Sequence, residues 1–250
     1  MPTDPKIVAV IPARWSASRF PGKPLAMIHG KPMVQWVYER CLEASAVSET
    51  LVATDDSRIY NAVQEFGGRA VMTSPDHPSG SDRIAEVVRE MVCDIVVNVQ
   101  GDEPLIPPEN INRVAQCLAD FPDIPMATLR TAIVQDREIN DPNTVKVVIS
   151  KESNALYFSR CAIPFHRESG INEDKNADLW YKHIGLYAYR KSFLLELTQL
   201  PESNLERLEK LEQLRVLENG YVIKVLTTDL TSQGVDTPED LVAVQSIMKL

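Results

Sequence analysis

The four cysteines, Cys41, Cys93, Cys117 and Cys161, stand far apart, with no C-x-x-C pair and no Cys/His set at zinc-ligand spacing. That excludes a zinc ribbon and leaves reduced thiols, buried or idle. No apolar run approaches the roughly 20 residues that a membrane-spanning helix needs. The N-terminus, MPTDPKIVAVIPAR, opens on an acidic turn and has no long apolar stretch before a small-residue cleavage site. No secretory signal is read there, and the expected compartment is the cytoplasm. Positive charge is also scarce: 26 Lys and Arg face 35 Asp and Glu, a net charge of -9. An acidic chain of this kind has no basic face with which to coat nucleic acid. The P-loop spacing, the G-x-G-x-x-G dinucleotide fingerprint and a G-x-S-x-G serine are all missing. So are low-complexity tracts and repeats of about 20–50 residues.

What is present is 250 residues, 44% of them apolar, enough to bury the core of one large domain spanning 1–250. KIVAVIPA (6–13) reads as a buried strand. A helix follows at 32–45, a strand at 49–56 and a helix at 57–68 with Ser57 as its N-cap. Strand 69–73, helix 81–91, strand 93–102 and helix 108–120 continue the alternation. This rhythm predicts an α/β fold: a mostly parallel, Rossmann-like sheet with helices on both faces. From 125 to 190 strands follow one another with little helix, which predicts a smaller β-rich lobe within the same domain. The polar stretch 166–180 reads as a mobile loop. A helix over 205–220 stopping at Gly220, a strand over 221–229 and a helix over 237–250, capped by Thr237 with Pro238 in its first turn, close the chain.

In such a sheet, ligands sit beyond the carboxyl ends of the strands. The segment IPARWSASRFPGKPL (11–25) there carries Arg14, Arg19 and Lys23 and no acid. Gly22 permits close approach to a ligand, the cations suit a polyphosphate, and Pro12, Pro21 and Pro24 stiffen the loop. A solvated basic loop has the same charge. NVQGDEP (98–104) ends a strand at Gln100 and places Asp102 where a carboxylate holds a hard divalent cation. GVDTPED (234–240) sets Asp236 before a helix, as a second metal carboxylate or as help for the Thr237 cap. Ser79, Gly80 and Ser81 precede a helix with Arg83 in its first turn: an acceptor-binding N-terminus, or an ordinary cap in which Arg83, set against the dipole, has its own partner. On the 205–220 wheel Glu212 falls near Leu205, Leu208 and Val216, so it is paired, hydrogen-bonded or reaching water. His183 and Tyr187 share one strand face, as core packing or as a sugar-facing pair.

These segments, with VATDD, SGSDR, FSRCAIPF, HIGLYAYR, LEQLR and GVDTPEDL, occur in order over nearly the whole chain. Together they closely resemble the 3-deoxy-manno-octulosonate (Kdo) cytidylyltransferases, or CMP-Kdo synthetases. The opening motif alone resembles sugar nucleotidyltransferases in general; SRCAIPF with LEQLR narrows it. Trp15 stands where that family more often has tyrosine, and both are aromatic. The resemblance implies transfer of CMP from CTP to Kdo for lipopolysaccharide synthesis, with magnesium as cofactor. It also implies a homodimer joined through the lobe, with no nucleic acid and no membrane insertion. It assigns Arg14 and Lys23 to the triphosphate, and Ala13 with Ser79, Gly80 and Arg83 to the nucleotide pocket. Asp102 and Asp236 are assigned to the metal. Arg160, His183, Tyr187, Glu212 and Gln213 go to the sugar, with Gln100 near both substrates. Two other readings stand beside it: the same transfer to 8-amino-Kdo or another acidic sugar, and a catalytically silent nucleotide-binding protein.

Overall fold

The computed structural model describes residues 4–16, 20–167 and 180–248. Arg19 and most of the 166–180 stretch lie outside the described residues. In chain order the elements are β1 (Ile7–Ala13), a 3₁₀ turn (Lys23–Leu25), the short strands β2 (Met27–Ile28) and β3 (Lys31–Pro32), α1 (Met33–Glu43), β4 (Glu49–Thr54), α2 (Ser57–Glu65), β5 (Ala70–Met72), α3 (Gly80–Arg89), β6 (Ile95–Asn98) and α4 (Pro108–Asp120). There follow β7 (Met126–Ala132), α5 (Asp136–Asn140), β8 (Lys146–Ile149), β9 (Ala155–Ser159), β10 (Tyr181–Arg190), α6 (Lys191–Leu197), α7 (Asn204–Glu209), α8 (Gln213–Glu218), β11 (Ile223–Thr227) and α9 (Pro238–Ile247).

β1 shows how the sequence builds two cores at once. Successive side chains of a strand point to opposite faces. Ile7, Ala9 and Ile11 therefore pack with Val34, Ile59 and Val114 from α1, α2 and α4. Val8 and Val10 pack with Ile84, Leu194 and Leu214 from α3, α6 and α8. A strand covered on both faces must be apolar throughout, as IVAVIPA is.

The main sheet runs β11-β7-β10-β6-β1-β4-β5. β6, β1, β4 and β5 are parallel, β11 is parallel to β7, and β10 runs antiparallel between β6 and β7. β8 and β9 form an antiparallel extension on β10. The 125–190 segment thus contributes β7 and β10 to the central sheet, and only β8 and β9 to the smaller extension.

Three local expectations differ. Asp56, not Ser57, caps α2, its carboxylate accepting from the Arg58 amide at 2.9 Å. α6 follows β10 directly, just beyond the strand-rich 125–190 segment, where no helix was expected. The helix expected over 205–220 is two short helices, because Lys210 adopts left-handed φ/ψ of 52° and 49°. α7 and α8 are held together instead by Arg215, whose Nε and Nη2 donate to the two carboxylate oxygens of Glu206 at 2.7 and 2.6 Å. Of the cysteines, Cys161 is exposed, the other three are buried, and none is in a disulfide.

Candidate active site

Parallel pairing puts the carboxyl ends of β1, β4, β5 and β6 on one rim, and the side chains of interest follow from there. Gly101, beyond β6, lies so near β1 that a Cβ there would meet the Pro12 carbonyl oxygen at 3.0 Å. This close approach sets Asp102 beside the chain that leads into Arg14. Asp236 arrives from the far end of the sequence because the Val235 amide donates to the Asp102 carbonyl at 2.9 Å. Lys23 sits at the start of the 3₁₀ turn, after Gly22 with φ of 73°. Trp15 packs over Gly22 and carries the Arg58 guanidinium 3.4 Å from its ring centroid.

Lys23 Nζ lies 2.6 Å from Asp102 Oδ2 and 3.4 Å from Asp236 Oδ1. One cation is therefore shared by two carboxylates, the donor set a hard divalent ion requires when phosphate and water complete its shell. On that ground the two aspartates fit magnesium. Asp236 is not consumed by the helix cap: Thr237 and Asp240 form the capping box, and Asp240 accepts from the Asp236 amide.

A cavity of about 230 Å³ opens here, lined by Pro12, Ala13, Arg14, Lys23, Gln100 and Asp102 among others. Arg14 Nη2 is buried there with no hydrogen-bond partner among the described residues. Burial pushes the Arg14 pKa down, and the neighbouring Arg83 guanidinium adds to this, opposed by Asp55 and Asp82. A buried guanidinium N–H without an acceptor is costly, and an anion in the cavity relieves it.

Arg83, expected among the nucleotide contacts, is instead fully buried. It donates to Asp55 Oδ2 at 2.7 Å and to Thr73 Oγ1, tying α3 to the ends of β4 and β5. That pairing is why a cation is tolerated in the first turn of α3. Ser79 caps this helix, its Oγ accepting from the Asp82 amide at 3.1 Å. A Cβ on Gly80 would lie 3.4 Å from the Pro12 ring, so Gly80 borders the same rim.

A larger cleft, about 620 Å³, adjoins the first at Gln100, which lines both. His183, Tyr187, Glu212 and Gln213 also line it. Glu212 accepts from Ser81 Oγ at 3.1 Å; burial raises its pKa, and the Ser81 bond partly offsets this. Gln213 is 4% exposed, and its Nε2 has no partner among the described residues. The His183 and Tyr187 rings lie 5.3 Å apart. Desolvation lowers the His183 pKa to about 3 and pushes the Tyr187 phenol up. The site also contains Glu103, which sequence reasoning passed over although it adjoins Asp102. It lines the cleft, accepts from Ser232 Oγ at 2.6 Å, and has its pKa raised by burial.

Arg160, expected to grip the sugar carboxylate, does not line the cleft. Its Nε, Nη1 and Nη2 donate to the carbonyls of Glu209, Pro142 and Lys210 at 2.6, 2.8 and 3.4 Å. Those carbonyls absorb the guanidinium, which secures the backbone at the edge of the cleft.

A mostly parallel sheet whose rim joins a cationic cavity, a lysine–carboxylate cluster and a larger polar cleft has the fold and layout of a nucleotidyltransferase. The fold alone is shared with a nucleotidyl transferase from Methanothermobacter thermautotroptrophicus, 16% identical with a TM-score of 0.62. Residues 8–227 match the family model for cytidylyltransferase. The chain is 54% identical to the 3-deoxy-manno-octulosonate cytidylyltransferase of Syntrophotalea carbinolica over 246 residues, covering 97% of this chain and 98% of the relative. That of Syntrophus aciditrophicus is 53% identical, with 97% of each covered. A solved CMP:2-keto-3-deoxy-manno-octonic acid synthetase complexed with CTP superposes with a TM-score of 0.91 at 47% identity, over 97% of this chain and 98% of that one. The chain belongs to the 3-deoxy-manno-octulosonate cytidylyltransferase family, and it is an enzyme.

Proposed function

We propose that the enzyme transfers CMP from CTP to Kdo, releasing pyrophosphate and forming the activated sugar used in lipopolysaccharide synthesis. The observation that carries this reading is the unpartnered Arg14 Nη2 beside Lys23, in a cavity that meets the larger cleft at Gln100. Family membership makes CTP and Kdo the substrates.

The anomeric hydroxyl of Kdo attacks the α-phosphorus of CTP. A new O–P bond forms in line with the P–O bond that breaks to pyrophosphate, the hydroxyl proton passes to solvent or the departing pyrophosphate, and no covalent enzyme intermediate is needed. Arg14 gives its free N–H to phosphate, and Lys23 exchanges carboxylate oxygens for phosphate oxygens. Both contacts strengthen as charge builds on the leaving group. Asp102 and Asp236 would hold magnesium, which would supply positive charge to screen the two anionic substrates from each other. Ala13, Ser79 and Gly80 border the nucleotide, and Arg83 braces that wall through Asp55. His183, Tyr187, Glu212 and Gln213 hold the sugar, and Gln100 lies between the substrates. Holding both reactants in adjoining cavities makes the transfer effectively unimolecular.

In this reading the enzyme works in the cytoplasm, where CTP is available, as a homodimer. Supporting self-association, Val134, Leu156 and Phe165 of the 125–190 segment are 82%, 61% and 77% exposed. Among the described residues no helix is long and apolar enough to cross a membrane.

The test is Asp102→Ala. Turnover is expected to vanish while the far-UV circular dichroism spectrum is unchanged. Near-normal magnesium-dependent activity in that variant would remove the metal assignment.

A further inference from the structure

The cleft contains one ring whose hydrogen-bonding state is decided by a residue outside it. Thr128, on β7, is fully buried. Its Oγ1 lies 2.8 Å from the Leu186 carbonyl, 3.2 Å from the Ile184 carbonyl and 2.9 Å from His183 Nε2. The first two partners sit where the β10 ladder shifts register against β7, between Ile184 and Tyr187. Carbonyl oxygens can only accept, and a threonine hydroxyl has one proton. Were that proton aimed at His183, the Leu186 carbonyl would face a hydroxyl lone pair at 2.8 Å with no hydrogen between them. The proton therefore goes to the bulge, and the hydroxyl lone pair must accept from His183 Nε2–H.

We infer that Thr128 is a positioning residue that fixes His183 as the Nε2–H tautomer, so that Nδ1 is the ring atom offered to a hydroxyl of the acceptor sugar. This rests on the sugar-binding reading of the larger cleft. Among the described residues the hydrogen bond of the His183 ring is the one at Nε2, and the ring itself lines the cleft, which leaves Nδ1 for a ligand there. The ring is also held sideways by an edge contact to Phe158, with centroids 5.0 Å apart, and by Tyr187. Desolvation favours the uncharged ring, and in its Nε2–H tautomer Nδ1 is an acceptor only. A site built this way selects for a ligand group that donates, and discriminates against an analogue in which that hydroxyl is missing or alkylated.

The deciding measurement is a long-range ¹H–¹⁵N spectrum of the ligand-free wild-type protein, in which the His183 ring nitrogens report the tautomer directly. A protonated-type Nε2 and an unprotonated-type Nδ1 are expected. The Nδ1–H tautomer would overturn the inference, and this readout needs neither substrate nor turnover. Thr128→Val removes the acceptor at nearly constant volume. It is expected to give a mixed tautomer signal and to raise KM for Kdo about tenfold with kcat within about twofold. Thr128→Ser is expected to restore both. A KM unchanged in Thr128→Val, with the spectrum altered, would separate the tautomer from sugar recognition. In that case the ring assignment would stand and its role toward the substrate would fall. Absence of any Kdo-dependent activity in the wild type would instead count against the sugar-binding reading itself.

Discussion

Arg215→Met breaks the pair that replaces helix continuity beneath the larger cleft. Arg215 and Glu206 have side chains only 12% and 10% exposed and meet through two parallel N–H···O bonds. Arg215 Nη1 also donates to the Leu200 carbonyl at 3.1 Å. Removing the guanidinium leaves Glu206 as a buried carboxylate with the Ser203 amide as its remaining donor. Stranding one partner of a buried pair costs about 3–5 kcal/mol. At about 2–4 °C per kcal/mol for a chain of this size, Tm should fall by about 6–20 °C. Differential scanning calorimetry of the single variant and of Glu206→Met/Arg215→Met at neutral pH measures this. Apolar replacement of both partners removes the stranded charge, so the double variant should regain most of the loss, less about 1 kcal/mol for the capping box it also deletes. A fall below about 2 °C in the single variant, or a double variant no better than the single, would refute the reasoning.

Glu212→Gln is expected to raise Tm at pH 8 while impairing activity. A carboxyl whose pKa is raised by burial disfavours the folded state once it ionises, so the gain should shrink as pH falls toward the ordinary glutamate value; equal gain at every pH would contradict it. Gly22→Ala meets both a positive φ and Trp15, whose ring would lie 2.9 Å from the new Cβ. It should cost at least about 1 kcal/mol in urea melts and raise KM for CTP more than for Kdo, and an unaltered KM would count against the loop's role. Lys23→Met removes the cation shared by Asp102 and Asp236, so manganese binding without nucleotide, followed by electron paramagnetic resonance, should tighten even as turnover falls. Weaker manganese binding would show that Lys23 does not compete for those carboxylates.

Much of this molecule is legible in the residues. KIVAVIPA (6–13) reads as a buried strand, and β1 is one covered on both faces; the alternation as far as α4 follows the expected order. Asp102, Asp236 and Lys23 were grouped by charge and by strand ends, and the structure brings the three together, with Lys23 Nζ between the two carboxylates. The failures have physical causes. LERLEKLEQLRVLENG keeps its helical period straight through Lys210, with no glycine or proline to mark a left-handed break. The periodicity cannot reveal that Arg215 and Glu206 stabilise a bent arrangement, and Leu208, placed on the apolar stripe, is 73% exposed. β10 passes into α6 at Arg190 and Lys191 with no turn residue to signal the change. For Arg160 no local pattern hints at the three carbonyls, remote in sequence, to which its guanidinium donates. Thr128 carries no local signal at all, since its importance comes from a bulge on a neighbouring strand.

The most direct test of the account is pyrophosphate release from CTP and magnesium, with Kdo, 8-amino-Kdo and sialic acid supplied separately. Release with Kdo, and far less with the other two, is the predicted result. CTP binding without release for any of the three would contradict the assignment of Arg14, Lys23, Asp102 and Asp236 to a transfer reaction.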